Sequence, residues 1–463
     1  MSITRRIWFA LGLVVVFVIG SVVTSRESAV SRSVASGPRV EPSASVAAWY
    51  CAEGTSNPNG RADEEIVLGN VATTPSRVTV TVFGGDAVPA ARRRYRVDPG
   101  QVVRFRVADL APLAEPGVVV EVSGGATAVE HRIQRGTDSA LGPCAREPAP
   151  NADFAGGTTL KGAETWLALF NPFPDDAIVD VRATTGDGVR APGSLQGIVV
   201  PRFTRISVAL HDLVSRVDLL ALSTSVRRGR VIAEESTALD GTDGRAGLAM
   251  SLGEARARQW RFPVGVTGSG RQERLVVANP GSRDAQVTVS FVLDAAAAVE
   301  PVTLMVPGTT ALAVDLTRVP PDIGFSTRVH SSQPIVAEMI GASGAPQGAD
   351  VRGLASDLGF GAGARRWVVV PARLDADSVD ELAVVATDGH RHRIQLVRVD
   401  QRRARVVARA TVPPVGRVLV DLTKAGGSPA IALELRADGP VIVERVSVRP
   451  GLTRSHAVVY ATR

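Results

Sequence analysis

The sequence predicts an all-β protein: four tandem immunoglobulin-like antiparallel β-sandwich repeats after one N-terminal transmembrane helix. Three observations support this fold class. Sequence markers recur with a period of about 105 residues, many segments alternate polar and apolar residues, and the one long apolar run stands at the N-terminus. With 463 residues and 45% hydrophobic composition, the chain can form several folded domains and is too apolar for a disordered protein.

The N-terminal apolar run, residues 7–24, predicts a membrane anchor. Eighteen residues in a helix span about 27 Å, close to the thickness of the hydrocarbon core of a bilayer. Arg5 and Arg6 precede the run, and the positive-inside rule keeps them in the cytoplasm. A cleaved signal peptide is the alternative for residues 1–26. Both interpretations place the rest of the chain outside the cytoplasm, beginning with a linker at 27–46.

The remaining chain contains five markers in the same order four times. Each unit opens with an aromatic residue and later shows a strand-ending Asn (Thr in the last unit), a Pro, an Asp-Leu pair and a strand-ending Glu. The spacing predicts repeats at 47–148, 149–255, 256–362 and 363–463. The markers, unit by unit, are Trp49, Asn70, Pro99, Asp109 and Glu130; Phe154, Asn171, Pro201, Asp212 and Glu234; Trp260, Asn279, Pro307, Asp315 and Glu338; Trp367, Thr387, Pro413, Asp421 and Glu444.

Each unit has the pattern of a small antiparallel sandwich. The segments 77–83 and 286–292 alternate polar and apolar residues, which places the apolar side chains on one face of a sheet. About seven short strands fit into each unit, as in immunoglobulin-like sandwiches. One short helix is predicted near Leu213 to Leu220. The sequence leaves open whether the units form a rod or pack compactly around an axis.

Cys51 and Cys144 are the only cysteines, and we expect them to form a disulfide in an oxidising compartment. The bond would connect the first and last strands of the first unit. A catalytic cysteine is the less favoured interpretation, because no nucleophile motif surrounds either residue.

The four strand-ending glutamates are expected to be structural. A catalytic carboxylate pair requires two groups in one cleft, and residues about 105 positions apart in separate domains would not provide it. The sequence contains no nucleophile elbow, phosphate-binding glycine loop or HExxH motif. We therefore predict no catalytic residue, no metal site and no cofactor.

Two further groups of polar residues are weaker candidates. His390 and His392 could share one face of a strand as metal ligands, but the flanking arginines favour a solvated strand or turn. The acidic stretches 57–65 and 375–381 could bind calcium, although neither matches a helix-loop-helix site, and solvated loops are the simpler interpretation.

Positive charge is concentrated in the last unit. From Arg365 onward, 16 Arg and one Lys face 10 acidic residues, whereas the whole chain has a net charge of +6. One hairpin could form a patch for anionic ligands, such as envelope glycans or lipid, although a solvated hairpin is the simpler interpretation. Nucleic acid is not expected as a ligand, because interleaved aromatic residues are absent and the chain is predicted to lie outside the cytoplasm. The patch residues are Arg391, Arg393, Arg398, Arg402, Arg403, Arg405 and Arg409.

The anchor, the segment from Trp49 to Thr55 (WYCAEGT), the Asn-Pro strand ends and the strand ending in Glu338 resemble an uncharacterised family of exported actinobacterial proteins, known as a domain of unknown function. The resemblance covers most of the chain after the anchor. It implies an extracytoplasmic protein near envelope glycosyltransferases and carries no catalytic residue or cofactor.

Taken together, these observations predict a non-catalytic, membrane-anchored scaffold or binding module of the cell envelope that supports glycan assembly. A glycan-active enzyme with a site between repeats and an adhesin or surface spacer are the alternatives.

Overall fold

The computed structural model describes residues 39–40, 46–85, 89–268, 271–295, 298–316, 318–343, 353–371, 379–400, 403–448, 455–458 and 460–462. These residues lie within one compact unit, Ala35–Arg463. Among them, no helix is long and apolar enough to cross a bilayer. The apolar run at 7–24, Arg402 and most of the acidic stretch 375–381 lie outside the described residues.

The described chain is almost entirely β-structure, as the alternating sequence pattern predicts. We refer to residues 47–148, 149–255, 256–362 and 363–463 as segments 1 to 4. Segment 1 contains strands β2 (Ala47–Cys51), β3 (Asp63–Asn70), β4 (Ser76–Phe83), β5 (Ala91–Val97), β6 (Val102–Arg106), β7 (Gly117–Ser123), β8 (Thr127–Arg135) and β9 (Asp138–Pro143). Segment 2 contains β10 (Asn151–Gly157), β11 (Ala163–Asn171), β12 (Ala177–Thr185), β13 (Gly188–Arg190), β14 (Ile198–Val200), β15 (Thr204–Ala209), β16 (Leu220–Arg228), β17 (Ile232–Asp240) and β18 (Ala246–Leu252).

The second half of the chain continues in the same way. Segment 3 contains β19 (Ala257–Val266), β20 (Arg271–Asn279), β21 (Ala285–Leu293), β22 (Val302–Val306), β23 (Thr310–Val314), β24 (Gly324–Ser343) and β25 (Gly353–Leu358). Segment 4 contains β26 (Ala364–Val369), β27 (Val379–Ala386), β28 (His392–Asp400), β29 (Arg403–Val412), β30 (Arg417–Asp421), β31 (Leu433–Val448), β32 (Ser455–Val458) and β33 (Tyr460–Thr462). A short strand, β1 (Arg39–Val40), pairs in parallel with β33.

The described helices are short. They are the α-helix α1 (Leu210–Leu213) and two 3₁₀ turns, Val107–Asp109 and Gly193–Leu195. The helix predicted near Leu213 to Leu220 is therefore wrong in position and length. The apolar residues of this stretch do not form a helical face. Val214, Val217 and Leu220 are buried in the core as the chain enters β16.

The strands pair in the same order in every segment. In segment 1, β2-β7-β4-β5 form one sheet and β6-β3-β8-β9 form the other, and segment 2 repeats this order with β10-β16-β12-β13 and β15-β11-β17-β18. In segments 3 and 4 the long strands β24 and β31 take part in both layers. The first half of β31, for example, pairs with β26 and β28, and its second half pairs with β27 and β32. All these pairs are antiparallel, which is consistent with β-sandwich layers.

The strand-ending asparagines explain how the two layers are joined. Asn279 is fully buried, and its side-chain amide donates to the carbonyl oxygens of Arg283 (2.7 Å) and Val306 (3.1 Å) and accepts from the Gly281 amide (3.2 Å). Asn70 and Asn171 are also fully buried and make the corresponding three bonds. An asparagine side chain can both donate and accept, so one residue satisfies the turn and the neighbouring strand end.

The last segment packs against the first. The Ala432 amide donates to the Gly100 carbonyl (2.9 Å), and the Val102 amide donates to the Ala430 carbonyl (2.8 Å). The strands β9, β18, β25 and β32 contact one another in succession, and β32 also contacts β9. Of the two arrangements that the sequence left open, the structure therefore has the compact one, with the segments around a common centre.

Candidate functional site

The predicted disulfide is present. Cys51 at the end of β2 is bonded to Cys144 just after β9, with a Cα–Cα distance of 4.6 Å, and both residues are fully buried. Since β2 and β9 belong to different sheets, the bond connects the two layers of segment 1. His131 lies beside it, with a ring nitrogen within 4.8 Å of both sulfur atoms. Both sulfurs are consumed by the disulfide, so in this form the trio offers no thiolate to a metal.

His131 also belongs to a buried cluster of charged residues between segments 1 and 2. Its Nδ1 lies 3.2 Å from Glu64 Oε1, and its Nε2 lies 3.3 Å from Glu234 Oε2. Glu53 is the third carboxylate, and it pairs with the buried guanidinium of Arg205 at 3.1 Å. These five side chains are at most 2% exposed. Burial raises the pKa of Glu64 well above its ordinary value, opposed in part by Arg205.

Glu234 connects the two segments directly. Its Oε2 accepts hydrogen bonds from the backbone amides of Ala52 (3.0 Å) and Glu53 (2.6 Å), which follow β2 in segment 1. Glu338 repeats this contact one segment later, since its Oε2 accepts from the Ala155 amide at 2.7 Å. Glu444 accepts from the Val264 amide at 3.2 Å. Each glutamate therefore binds backbone at the end of the first strand of the preceding segment, and this supports the structural role expected from the sequence.

Glu338 also accepts hydrogen bonds from two side chains. Besides the Ala155 amide, the hydroxyls of Ser251 and Ser356 donate to its Oε1. Gly156 makes room for this carboxylate, because a Cβ at that position would lie 2.7 Å from the Glu338 carboxyl carbon. Glu235 and Asp357 are also buried near Glu338, and their pKa values are well above the ordinary range, primarily because of burial and secondarily because of neighbouring carboxylates.

This arrangement corrects one premise of the sequence argument. Carboxylates from different segments do come together: Glu234 lies beside residues of segment 1, and Asp357 is influenced by both Glu338 and Glu444. A spacing of about 105 residues predicts separate domains, whereas the segments pack closely enough for these carboxylates to meet. These carboxylates are at most 4% exposed.

The fourth glutamate, Glu130, faces segment 4 instead. Its Oε2 lies 3.8 Å from Arg445 Nη1, and Arg445 Nε lies 3.7 Å from Asp380. Pro371, which has no amide hydrogen, stands where the chain leaves β26. Burial raises the pKa of Glu130 to about 7, although Arg445 lowers it. At this position of the contact between the last and first segments, the glutamate therefore faces a guanidinium, whereas the other three accept from a backbone amide.

The raised pKa of Glu234 predicts a pH-dependent stability. Burial raises it from 4.5 to about 7, against the opposing effect of His131. The folded state therefore holds this proton more tightly than the unfolded state. The contribution of Glu234 to the free energy of unfolding should be fully present below about pH 4.5 and should fall by up to about 3 kcal/mol as the pH rises to about 7.

Denaturant midpoints of the native protein and of Glu234→Gln between pH 4.5 and 8 test this expectation. The amide cannot ionise, so the variant should lose this part of the pH dependence while the other buried acids keep theirs. A stability difference between the two proteins that does not change with pH would contradict it.

The histidines and acidic loops differ from expectation. His390 is 80% exposed in a turn, whereas His392 is buried and lies between Asp388 (2.8 Å) and Asp438 (3.3 Å), so the two do not share a face. The solvated strand expected for His392 is wrong, because its ring points into segment 4. In the stretch 57–65, Glu64 belongs to β3 and is 1% exposed rather than part of a solvated loop. Its place in an alternating strand could have revealed this.

The arginine-rich hairpin is formed by β28 and β29, but its arginines lie on two faces. Arg393 is directly opposite Thr411, and Arg409 is opposite Gln395. We call the face of the sheet that carries these four residues the outer face. Arg398 and Arg405 are opposite each other on the other face, where Arg398 pairs with Asp400 at 2.5 Å. Arg403 lies on that same face, opposite Asp400, and Arg391 is exposed just before β28. An irregularity in pairing near Leu396 and Val397 separates the two groups.

The outer face of this sheet carries two more arginines that the sequence analysis did not select. Arg366 on β26 is directly opposite Arg436 on β31, and Arg436 is opposite Gln395. With Arg409, these residues form a line across four strands, which we call the arginine row (Arg366, Arg436, Gln395 and Arg409). An open groove lies along three members of the row, Arg436, Gln395 and Arg409, and is also lined by Arg393, Thr411 and Asp438, among others.

The described residues define an all-β protein of several packed sheets with one buried disulfide. Residues 139–416 match the profile of DUF5719, a family of unknown function. This match covers more than half of the chain, so the protein belongs to that family. No curated protein matches the sequence.

Three solved structures share limited similarity with the chain. Thermotoga maritima 1070 is 22% identical over 23% of this chain and 94% of its own, with a TM-score of 0.20. The Anabaena sensory rhodopsin transducer is 23% identical over 18% and 82%, with a TM-score of 0.17. A glycoside hydrolase of family 32 from Bifidobacterium adolescentis is 10% identical over 90% and 95%, with a TM-score of 0.15. At these TM-scores, none of the three supports an inference about this protein.

Proposed function

We propose that the protein is a non-catalytic, extracytoplasmic scaffold or binding module of the cell envelope. In this proposal, four immunoglobulin-like sandwich repeats follow a transmembrane helix at residues 7–24, and the protein supports a partner that assembles envelope glycans. The recurring strand order and the recurring roles of Asn and Glu support the repeats. The buried disulfide supports an oxidising compartment.

One observation carries the non-catalytic part of the proposal. The repeated carboxylates are buried between segments, where Glu234, Glu338 and Glu444 hold backbone amides instead of lining an open cleft. An open groove lies instead on the sheet of segment 4, where Arg393, Arg409 and Arg436 line it together with Gln395, Thr411 and Asp438. Such a surface can bind an anionic ligand through its guanidinium groups, and the carboxylate in its lining, Asp438, is paired with Arg393.

The location is tested with the full chain fused at Arg463 to alkaline phosphatase, which is active only outside the cytoplasm. We expect an active, membrane-associated fusion, and the same fusion without residues 1–26 should be inactive. A fusion that is inactive with the N-terminus intact would overturn the extracytoplasmic proposal.

The scaffold role is tested by crosslinking the intact protein in its own membranes and identifying what is captured. We expect enzymes of envelope glycan assembly, enriched over a control in which an unrelated membrane-anchored protein is crosslinked. Capture of the same proteins by both baits would overturn the scaffold role.

A further inference from the structure

The arginine row runs perpendicular to the strands. Arg366, Arg436, Gln395 and Arg409 occupy directly opposed positions on β26, β31, β28 and β29. Directly opposed residues of antiparallel strands point to the same face, and neighbouring strands are about 4.8 Å apart. The row therefore spans about 14 Å between the backbones of Arg366 and Arg409. Such a straight line of charge suits an extended chain better than a single small anion.

The row lies at the edge of the contact between segments 4 and 1. Two residues farther along the same face, Val368 is opposite Glu434, and both are at most 1% exposed. Val368 belongs to the same apolar cluster as Trp49 and Val67 of segment 1. Segment 1 therefore covers the sheet up to the row, and the row is the first part of this face that solvent reaches.

Glu434 holds two of the arginines in place and leaves the row positively charged. Its Oε1 accepts from Arg366 (2.5 Å), and its Oε2 accepts from Arg436 (2.7 Å). Their side chains remain 40% and 44% exposed, respectively, and each guanidinium keeps further N–H groups for a ligand. Arg409 is exposed and has no ion-pair partner among the described residues. Within the row, three guanidinium groups thus face the carboxylate of Glu434, and beside the row Arg393 pairs with Asp438 at 3.2 Å.

The neutral side chains of the groove indicate the kind of polymer. Gln395 and Thr411 are exposed between the arginines and can hydrogen-bond to hydroxyl groups. The groove lining contains no aromatic residue on which a base could stack and no exposed large apolar residue that could enter a bilayer. Guanidinium groups pair well with carboxylates and phosphates, and amides and hydroxyls suit sugars.

We propose that the arginine row binds a linear anionic polysaccharide, with its acidic groups on the arginines and its sugar hydroxyls on Gln395 and Thr411. This inference rests on the binding role proposed above and names the class of ligand for it. The polymer lies across the strands, along the edge of segment 1.

Binding of the purified protein to polygalacturonate, to galacturonic acid and to vesicles of phosphatidylglycerol tests the proposal. The test variant is Arg409→Ala/Arg436→Ala. The matched control is Arg403→Ala/Arg405→Ala, which removes the same charge from the other face of the hairpin. We expect the polymer to bind far more tightly than the monomer, because several contacts form at once. The test variant should bind about tenfold more weakly for each arginine removed, and the control should bind like the native protein.

Three results would overturn the proposal: no binding of the polymer, binding to vesicles alone, or an equal loss of affinity in both variants, which would mean that only net charge matters. This assay uses purified protein and does not depend on location. If the polymer does not bind but the phosphatase fusion is active, only the proposed class of ligand is wrong. If the polymer binds but the fusion is inactive, only the proposed extracytoplasmic location is wrong.

Discussion

Replacing Glu338 by alanine should lower the free energy of unfolding by about 3–5 kcal/mol. The substitution leaves the Ala155 amide and the hydroxyls of Ser251 and Ser356 without their common acceptor in the buried contact between segments 2 and 3. It also creates a cavity where Gly156 has made room for the carboxylate. Because Glu338 connects segments 2 and 3, its loss should weaken the contact between them. Equilibrium unfolding in urea measures the effect.

Two variants control this experiment. Glu338→Gln keeps an acceptor oxygen and should recover a large part of the lost stability. Glu164→Ala removes a carboxylate of the same size that is 40% exposed and pairs with Arg135 on the surface, so it should cost less than about 1 kcal/mol. If Glu338→Ala and Glu164→Ala lower the free energy of unfolding equally, Glu338 does not have the proposed stabilising role between segments 2 and 3.

Removing the disulfide should have an effect of similar size. The bond between Cys51 and Cys144 closes a loop with a sequence separation of 93. The chain-entropy model gives about 4–5 kcal/mol for a loop of this length, as an upper figure. The bond connects the two layers of segment 1, which also contacts segment 4 through Gly100 and Val102. We therefore expect removal of the bond to weaken both the packing of the two layers of segment 1 and its contact with segment 4.

The double variant Cys51→Ala/Cys144→Ala, compared with the native protein in urea with and without a thiol reductant, provides the measurement. A reductant should destabilise the native protein towards the level of the variant and leave the variant unchanged. Equal midpoints for the oxidised native protein and the variant would show that the bond contributes nothing to stability.

The local features of this chain could be read from its residues. The alternation in 77–83 and 286–292 predicts strands, and the structure has β4 and β21 there. The Asn and Glu residues were recognisable because they recur at one position, and recurrence at one position indicates one structural role. The glutamates do not end their strands as predicted, because β8, β17, β24 and β31 continue beyond them. The helix near Leu213 failed because the apolar residues of a buried loop can have the same spacing as a helical face.

The functional candidates were less predictable. Arg393 and Arg409 were recognisable from the clustering of arginines in one hairpin, whereas Arg366 and Arg436 lie outside that hairpin in sequence. They join Arg409 only through the register of four strands. His131 and Glu64 were missed for the same reason, since their contacts with each other and with Glu234 cross a strand pair and a segment boundary.

The sequence by itself determined the strands, the recurring Asn and Glu residues and the pair of cysteines, because alternation, spacing and count are local or one-dimensional properties. Tertiary structure decided which residues meet: the glutamates with the backbone of the preceding segment, segment 4 with segment 1, and the arginines in one row. These contacts depend on strand register and on packing between surfaces, and neither leaves a periodic signal along the chain.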